Sequence, residues 1–446
     1  MQKSFLLIYF FCLAGRLALF GQGTVLVSGQ LAGPLGDSVY LHWQDHQIYF
    51  DPQVVRSPVV GGAFAFRFRL EESVLATLRI GDTTIPLFLQ PWDSLHIGSQ
   101  GGGLRTDLSF AGLGDRENDL LQTYRRLFLL APEYRLYPKA YQEKSPADFA
   151  KELLRQEKKI QKWWREAQRN VSLSAAFSNY FEAHLRYRFA NERLAYGQYH
   201  TLQDPDFYAP LLPLIQDRPE WLSLVYEYSR FLELYLDYRA EGDLEKAYQL
   251  SKEIFSGRVQ AHVQAQQLAK AWTADAWKEM DALYSDFRKN SRFYIDVLHR
   301  RYQQLQGLRA GTMAPDFILP NTKDQPVSLH RYRGQHVLLT FWRTDCMACI
   351  PDMERISRIA QSMSDQLTVI AVALDEQPEQ WKSYLQKRPL NGLHLRASGI
   401  FSAVARRYAL EHLPAVFLID PEGRMAPYPG RPAEGLHRHL QATLQE

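Results

Sequence analysis

The sequence predicts a multidomain protein with an N-terminal β-sandwich, a central all-α helical region and a C-terminal α/β domain. Several domains are expected because the 446 residues exceed the roughly 250 to 300 that a single hydrophobic core supports. The apolar pattern predicts the kind of each domain. It changes from short alternating runs to helical spacing, and then to continuous apolar strands.

The composition limits the classes of function. Hydrophobic residues make up 46% of the chain and charged residues 23%, which argues against a mostly disordered chain or a polytopic membrane protein. A net charge of +3 is too small to indicate nucleic-acid binding. The three cysteines, Cys12, Cys346 and Cys349, are too few for a fold held by disulfides. We expect no cofactor and no resident metal.

Residues 1–21 have the layout of a signal peptide. Lys3 precedes the apolar segment 5–14, and small residues follow as far as Gly21. Arg16 interrupts the apolar run well before the roughly 20 residues that a membrane-spanning helix needs. We therefore predict cleavage near Gly21 or Gly23 and export to the periplasm. An uncleaved membrane anchor, with Arg16 at the membrane surface, is the alternative.

Cys12 lies inside this segment and is predicted to be removed with it. Bulky residues 9–11 precede Cys12, where a lipid-attachment signal requires small residues. The mature chain then keeps Cys346 and Cys349 as its only cysteines, in an oxidising compartment.

Residues 24–104 are predicted to form a small β-sandwich of unknown function. Glycine-rich turns separate short apolar or alternating runs, and the glycines at 101–103 close the domain. The clearest runs lie at 25–27, 39–43, 64–68 and 86–89.

Residues 112–306 are predicted to form a helical domain. Asp115 is a plausible N-cap, and Ser145 followed by Pro146 predicts a further helix start. Aromatic residues and arginines alternate in this region, which can indicate nucleic-acid or glycan binding. Acidic residues are interspersed almost one for one, so we interpret the region as a helical bundle. Helices are expected at 146–169, 173–185, 219–240, 244–256, 258–272, 275–289 and 291–306.

Residues 311–446 are predicted to form the α/β domain. Three apolar runs, 337–342, 367–374 and 415–420, are typical of strands buried in a central sheet. The first run leads directly into Cys346 and Cys349.

The spacing of Cys346 and Cys349 at a strand-to-helix junction predicts a redox-active dithiol. The two sulfurs come within bonding range when the second cysteine lies one turn into a helix. Unpaired N–H groups and the dipole at the helix N-terminus stabilise a thiolate. We therefore expect Cys346 to be the exposed nucleophile and Cys349 to be the shielded resolving thiol.

The cysteine pair has three alternative interpretations. A structural zinc site would need two more ligands, such as His330, His336 or His412. An inert disulfide is poorly motivated, because so short a loop restricts little entropy of the unfolded chain. A peroxiredoxin carries threonine three residues and proline seven residues before its cysteine, whereas this chain has Arg343 and Leu339.

Residues 311–446 resemble the TlpA/ResA-type family of exported thioredoxin-like thiol-disulfide oxidoreductases, which has an AhpC/TSA-related thioredoxin fold. The region before it resembles, more weakly, the N-terminal β-domain of unknown function and helical region found with such domains. The motifs that carry the main resemblance, in order, are Ala314-Pro315-Asp316-Phe317, Val327-Ser328-Leu329, Tyr332-Arg333-Gly334, Phe341-Trp342, the cysteine pair, and the run from Leu413 to Gly423.

The resemblance implies further site residues. Pro414 would be the cis-proline that faces the cysteines. Leu413 and Pro414, together with Trp342, are assigned to substrate binding, and Leu413 and Pro414 also keep metals off the thiols. Asp352 stands where the family often has a glutamate that aids proton transfer. Asp345 departs from the family's usual tryptophan, and its carboxylate would oppose thiolate formation on Cys346.

The function expected from the resemblance is reduction of disulfides in periplasmic proteins. Its partners would be protein disulfide substrates and a membrane thiol reductant, and the redox potential of that partner sets the direction of transfer. The alternative is an exported binding or scaffold protein whose thioredoxin module is redox-regulated or vestigial. Peroxide reduction is a third possibility.

Overall fold

The computed structural model of the chain describes residues 23–31, 38–44, 52–81, 83–99, 108–136, 139–271, 277–346, 349–375, 377–410, 413–427 and 440. These residues form two compact units, one up to Leu234 and one from Tyr235 onward. The predicted signal segment 1–21, with Cys12, lies outside the described residues, and so does His412. Within the described part of the chain, no helix is long and apolar enough to cross a membrane.

The first unit begins with two four-stranded sheets, ordered β4-β1-β7-β8 and β3-β2-β5-β6. Strand neighbours are antiparallel except for β1 and β7. Alternate apolar side chains from both sheets share one hydrophobic core, as expected for a sandwich. The strands are β1 (Thr24–Gln30), β2 (Ser38–Trp43), β3 (Gln53–Pro58), β4 (Ala63–Arg69), β5 (Val74–Ile80), β6 (Thr83–Leu89), β7 (Ser94–Ser99) and β8 (Leu108–Leu113).

Strand β8 lies beyond the glycines at 101–103, where the sequence analysis ends the β-domain. It pairs with β7 from Ser94 opposite Leu113 to Ser99 opposite Leu108. Most of its side chains are exposed or half-buried, as expected at a sheet edge, so its sequence lacks a strong apolar alternation. The sheet therefore continues almost to the start of the first helix.

Asn118 joins the first helix to the edge of the second sheet. Its side-chain amide donates to the carbonyl of Phe88 and accepts from the N–H of Phe88, each over 2.9 Å. It also donates to the carbonyl of Gly114 over 2.8 Å. The side chain thus pairs with edge strand β6 as a neighbouring strand would.

The helices of the first unit pack through aromatic side chains. Phe181 contacts Tyr124 edge to face, with ring centroids 4.9 Å apart, and Phe149 stacks on Tyr196 at 4.0 Å. A π-helical turn, Arg125–Leu129, follows the first helix. The α-helices are α1 (Asp115–Tyr124), α2 (Lys139–Glu143), α3 (Pro146–Asn170), α4 (Ala175–Tyr199) and α5 (Pro205–Tyr208), and α6 (Tyr226–Ala240) follows them along the chain.

The second unit contains further helices and the C-terminal α/β domain. The helices share a core of their own around Tyr248, Leu268, Phe287 and Leu298. A separate helical domain at 112–306 stays a prediction, since the chain divides into units near residue 235. These helices are α7 (Leu244–Ile254), α8 (Gly257–Ala271), α9 (Trp277–Asn290) and α10 (Ile295–Gln306).

The C-terminal sheet has the order β13-β12-β11-β14, in which only β14 is antiparallel to its neighbour. Alternate residues of β11 and β12 enter two hydrophobic clusters, one on each face of the sheet. This explains why these strands read as continuous apolar runs. The elements are β9 (Ile318–Pro320), β10 (Pro326–Ser328), β11 (His336–Trp342), α11 (Cys349–Ser362), β12 (Leu367–Ala373), α12 (Pro378–Lys387), β13 (Leu393–Arg396), α13 (Ala403–Arg407) and β14 (Ala415–Ile419).

Candidate active site at the cysteine pair

The cysteine pair lies at the carboxyl end of the central strand β11. The strand is buried from Val337 to Trp342, and its chain leaves the sheet through residues 343–346 before helix α11 begins at Cys349. Side chains that follow a buried strand in an α/β sheet reach the crevice where such folds bind their ligands. The fold thus places Cys346 at the sheet edge.

Cys346 and Cys349 form a disulfide, with sulfurs 2.05 Å apart and Cα atoms 5.2 Å apart. The backbone N–H of Cys349 donates to the carbonyl oxygen of Cys346 over 2.9 Å and approaches its sulfur to 3.1 Å. The first turn of α11 therefore directs a backbone donor at the sulfur of Cys346.

The two cysteines differ in exposure. Cys349 is 0% exposed and packs among Trp342, Met353 and Ile356, whereas Cys346 is half-buried at the margin of the same cluster. A reagent that approaches from solvent therefore meets the sulfur of Cys346 and not that of Cys349.

Leu413 and Pro414 lie opposite the disulfide. The sulfur of Cys346 is 3.9 Å from the carbonyl oxygen of Leu413, and the Leu413–Pro414 peptide bond is cis. Strand β14 begins at the next residue, Ala415, and pairs with Phe341 of β11. This register brings the Leu413 backbone back to the cysteines.

Trp342, which the resemblance assigned to substrate binding, is 0% exposed. Its ring meets Tyr384 edge to face, with centroids 5.5 Å apart, and it belongs to the cluster that buries Cys349. Trp342 ends strand β11 with its side chain on the core side, so it supports the cysteine pair from inside and offers no surface to a substrate.

Asp345 is paired with Arg343. The guanidinium of Arg343 donates to the Asp345 carboxylate over 2.8 Å. From the sequence alone, Asp345 is expected to oppose a thiolate on Cys346. The cation of Arg343, two residues away on the same loop, offsets that charge.

Asp352 lies one turn after Cys349 on helix α11, so the two side chains share a helix face. Its carboxylate accepts from Arg355 over 3.0 Å. Burial raises the pKa of Asp352, and the charge of Arg355 lowers it by less. A raised pKa makes this carboxylate a stronger base toward a neighbouring thiol than an ordinary aspartate.

Sequence reasoning missed Asp375, which is 3% exposed beside the loop before Cys346. Its carboxylate accepts from the hydroxyl of Thr344 over 2.5 Å and from the N–H of Thr344 over 3.2 Å and 3.3 Å. The one sequence signal was an acidic residue directly after a buried strand, at the sheet edge that the cysteines share.

The histidines considered for a zinc site lie elsewhere. His336 begins strand β11, so the length of the strand, roughly 20 Å for seven residues, separates it from the loop before Cys346. His330 lines a small cavity of about 60 Å³ with Asp316 and Arg333, near the start of that strand. No group of three or more His, Cys, Asp or Glu side chains that could hold a metal ion occurs among the described residues.

Residues 310–427 match the model of the AhpC/TSA family. The C-terminal region is thus similar to an AhpC/TSA-family domain over residues 310–427. The cysteine pair, Leu413 and Pro414 all lie within the matched residues of this domain.

Curated relatives of the AhpC/TSA domain carry related names. The thioredoxin-like protein YneN of Bacillus subtilis (strain 168) is 34% identical over 76 residues, which cover 17% of this chain and 45% of that protein. The thiol-disulfide oxidoreductase ResA of Geobacillus kaustophilus (strain HTA426) is 26% identical over 146 residues, which cover 32% of this chain and 82% of that protein. The chain thus spans less than half the length of YneN.

Solved structures similar to this chain also match about a third of it. The thioredoxin domain of a thiol-disulfide oxidoreductase from Bacteroides vulgatus is 23% identical, covers 31% of this chain and 99% of that one, and has a TM-score of 0.29. A structure from Chlorobium tepidum, described as a thiol:disulfide interchange protein DsbE, is 30% identical and has a TM-score of 0.28. The match covers 31% of this chain and 99% of that one.

Proposed function

We propose that the chain is an exported thiol-disulfide oxidoreductase that reduces disulfides of protein substrates. The observation that carries the proposal is the unequal exposure of the two bonded cysteines, with Cys346 half-buried and Cys349 enclosed in the core. Relatives of the AhpC/TSA domain named thiol-disulfide oxidoreductases support it. Residues 1–21 are proposed to direct export, which sequencing of the mature N-terminus tests.

The proposed reaction starts from the reduced dithiol. The thiolate of Cys346 attacks one sulfur of a substrate disulfide, which forms a mixed disulfide and releases the other substrate sulfur as a thiolate. Cys349 then attacks Cys346 as a thiolate, which restores the Cys346–Cys349 disulfide and frees the second substrate thiol. Two electrons and two protons have passed to the substrate, and an external thiol reductant, proposed to be membrane-bound, returns them.

Other side chains have proposed roles in this sequence. The carbonyl of Leu413, beside the Cys346 sulfur, would accept an N–H from the substrate backbone, and Pro414 would fix its direction. Asp352, whose pKa burial raises, would take the proton of Cys349 as it becomes the second nucleophile. Trp342 would keep Cys349 in its pocket.

Insulin reduction tests the proposal. The purified protein should catalyse the precipitation of insulin in dithiothreitol, and Cys346→Ser should abolish the catalysis. Cys349→Ser should leave the first attack intact but stop the reaction at a mixed disulfide. A Cys346→Ser variant as active as the parent would refute the assignment.

A second candidate is an exported scaffold whose cysteine pair is regulatory. It is favoured by the large compact unit up to Leu234, which contains neither Cys346 nor Cys349. The Cys349→Ser variant, expressed in cells and isolated without reductant, separates the two functions. Disulfide-linked clients support the oxidoreductase, and partners released without reductant support the scaffold.

A further inference from the structure

The loop before Cys346 lies beside the end of a second strand. Strands β11 and β12 are parallel, and their register pairs Trp342 with Ala373, so both end at the same sheet edge. The chain after β11 leads to Cys346, and the chain after β12 leads to Asp375. The fold thus places a buried carboxylate next to the segment that carries the nucleophile.

Asp375 binds both hydrogen-bond donors of Thr344. The carboxylate accepts from the hydroxyl over 2.5 Å and from the backbone N–H over 3.2 Å and 3.3 Å. Both residues are nearly inaccessible, with Thr344 8% exposed and Asp375 3% exposed. An ionised carboxylate has enough lone pairs for all three contacts, whereas an amide has one acceptor oxygen and would turn donors toward Thr344.

Neighbouring elements hold this pair in place. Arg396, the last residue of β13, donates to the backbone carbonyl of Asp375 over 3.1 Å. Gln380 of helix α12 donates to the Thr344 hydroxyl over 3.4 Å. Strand β13 therefore contacts Asp375 and helix α12 contacts Thr344, so each member of the pair is held by a different neighbouring element.

A carboxylate at this position has two unfavourable effects. Its burial costs solvation energy, and its negative charge opposes a thiolate on a nearby cysteine. Burial raises the pKa of Asp375, and hydrogen bonds from Thr344 and the charge of Arg343 act against that rise. A small apolar residue would fill the space without either effect, so the carboxylate has a use that packing alone does not explain.

We propose that Asp375 is a positioning residue, which acts through Thr344 to fix the loop that carries Cys346 and so holds its sulfur between Cys349 and Leu413. This inference rests on the proposed thiol-disulfide exchange. It deepens that proposal, because it says what keeps the nucleophile in place when the disulfide opens and no covalent bond ties Cys346 to the helix.

The test compares three substitutions at the pair. Asp375→Asn keeps the shape and removes the charge, Thr344→Val removes only the hydroxyl, and Thr344→Ser restores it. Ser357→Ala is the matched control. Ser357 lies further along helix α11 and is also 8% exposed, and its hydroxyl accepts from the N–H of a loop residue, Asn391, over 2.8 Å. Each variant is measured for insulin reduction, for alkylation of Cys346 by iodoacetamide and for its redox equilibrium with glutathione.

We expect Thr344→Val to slow alkylation and insulin reduction about tenfold, and Thr344→Ser to stay within about twofold of the parent. Asp375→Asn should also slow both reactions, because the loss of the loop's position outweighs the removal of a charge that opposes the thiolate. The glutathione equilibrium should shift in the same two variants and not in Ser357→Ala, although all four lose some thermal stability. The double variant should be no slower than the slower single variant, since both changes break one contact.

Results that overturn the inference differ from those that overturn the proposed function. If the parent reduces insulin, Cys346→Ser does not, and Thr344→Val reacts like the parent, only the positioning role is lost. The same holds if Thr344→Ser is as slow as Thr344→Val. If the parent itself does not reduce insulin, both proposals fall. Should Asp375→Asn fail to fold, the Thr344 variants decide the matter.

Discussion

The backbone N–H of Cys349 lies 3.1 Å from the sulfur of Cys346 and points toward it. Once the disulfide is reduced, this donor at the first turn of helix α11 can stabilise negative charge on the sulfur of Cys346, to which it lies close in addition to its bond with the Cys346 carbonyl oxygen. Cys346 is half-buried, whereas Cys349 is enclosed in the core and its sulfur is inaccessible to solvent. The two thiols should therefore behave differently in one molecule.

This difference predicts selective alkylation. In the reduced protein at pH 7, iodoacetamide should label Cys346 at least about tenfold faster than Cys349, because only the former combines exposure with a stabilised thiolate. Mass spectrometry of digests taken at short times measures both rates. Equal labelling of the two cysteines in folded protein would contradict the asymmetry on which the proposed order of attack depends.

A second prediction concerns the ion pair of Arg343 and Asp345, in which a guanidinium nitrogen lies 2.8 Å from a carboxylate oxygen. Arg343→Gln leaves the Asp345 carboxylate unopposed near Cys346, so alkylation should slow several-fold. Asp345→Asn should be faster than the parent, and the double variant should return to about the parental rate. The readout is the iodoacetamide rate as a function of pH.

The control for this cycle is Arg358→Gln. Arg358 is exposed on helix α11, beyond the first turns. Its removal changes the net charge by the same amount as Arg343→Gln. If both substitutions slow alkylation equally, the effect is one of overall charge, and the local pairing of Arg343 with Asp345 has no part in it.

In the C-terminal domain, the sequence predicted those strands that form long continuous apolar runs, because such runs are typical of strands buried in a central sheet. The run at 337–342 became strand β11 (His336–Trp342), and the run at 367–374 became β12 (Leu367–Ala373), because burial on both sheet faces demands continuous apolar residues. Strand β13 was missed, since its four residues, Leu393–Arg396, are too few to show a period.

The contact of Thr344 with Asp375 could not be predicted. Thirty-one residues separate the two along the chain, and only the parallel register of β11 and β12 brings them together. The role of Trp342 in substrate binding stays a prediction. The structure places its side chain in the cluster that buries Cys349, 0% exposed, because both faces of strand β11 are covered.

A third prediction tests the role of Asp352. Reduced protein treated with excess Ellman's reagent should release thionitrobenzoate in two phases, and the second reports attack by Cys349 on the mixed disulfide. Burial raises the pKa of Asp352, so this phase should accelerate with pH around an inflection above the ordinary aspartate value of about 3.9. Asp352→Asn should slow the second phase and remove the inflection.

Glu354→Gln supplies the control for Asp352. Glu354 is exposed two residues further along helix α11, so the substitution removes a carboxylate that faces solvent. It should leave both phases unchanged. An unchanged second phase in Asp352→Asn would instead remove Asp352 from the proposed proton transfer and leave the attack itself untouched.

A fourth prediction concerns Asn118 at the edge of β6. Asn118→Ala removes three hydrogen bonds. Two of them satisfy the N–H and the carbonyl of Phe88, and the third satisfies the carbonyl of Gly114. The first unit should lose about 2 to 3 kcal/mol of stability. Hydrogen exchange in peptides that cover Thr83–Leu89 measures the local loss. Asn170→Ala, at an exposed helix end, should have almost no effect.

The last prediction uses Asp93, a buried carboxyl group at the start of β7. Burial raises the pKa of Asp93 to about 7, the N–H of Gln90 acts against the rise, and the charge of Glu117 adds to it. Because the folded-state pKa exceeds the unfolded value of about 3.9, the protonated form is favoured by folding. The stabilisation is complete below that unfolded value and is lost as pH rises through 7.

The stability of the first unit should therefore fall between pH 4 and pH 7.5, by up to about 3 kcal/mol from Asp93. Asp93→Asn should flatten this dependence, so that the variant is more stable than the parent at pH 8 and gains nothing at pH 4. Hydrogen exchange in Ser94–Ser99, corrected for intrinsic rates, measures it. Glu72→Gln, at an exposed position of the same unit, should keep the parental slope, and an equal flattening there would show that Asp93 is not its source.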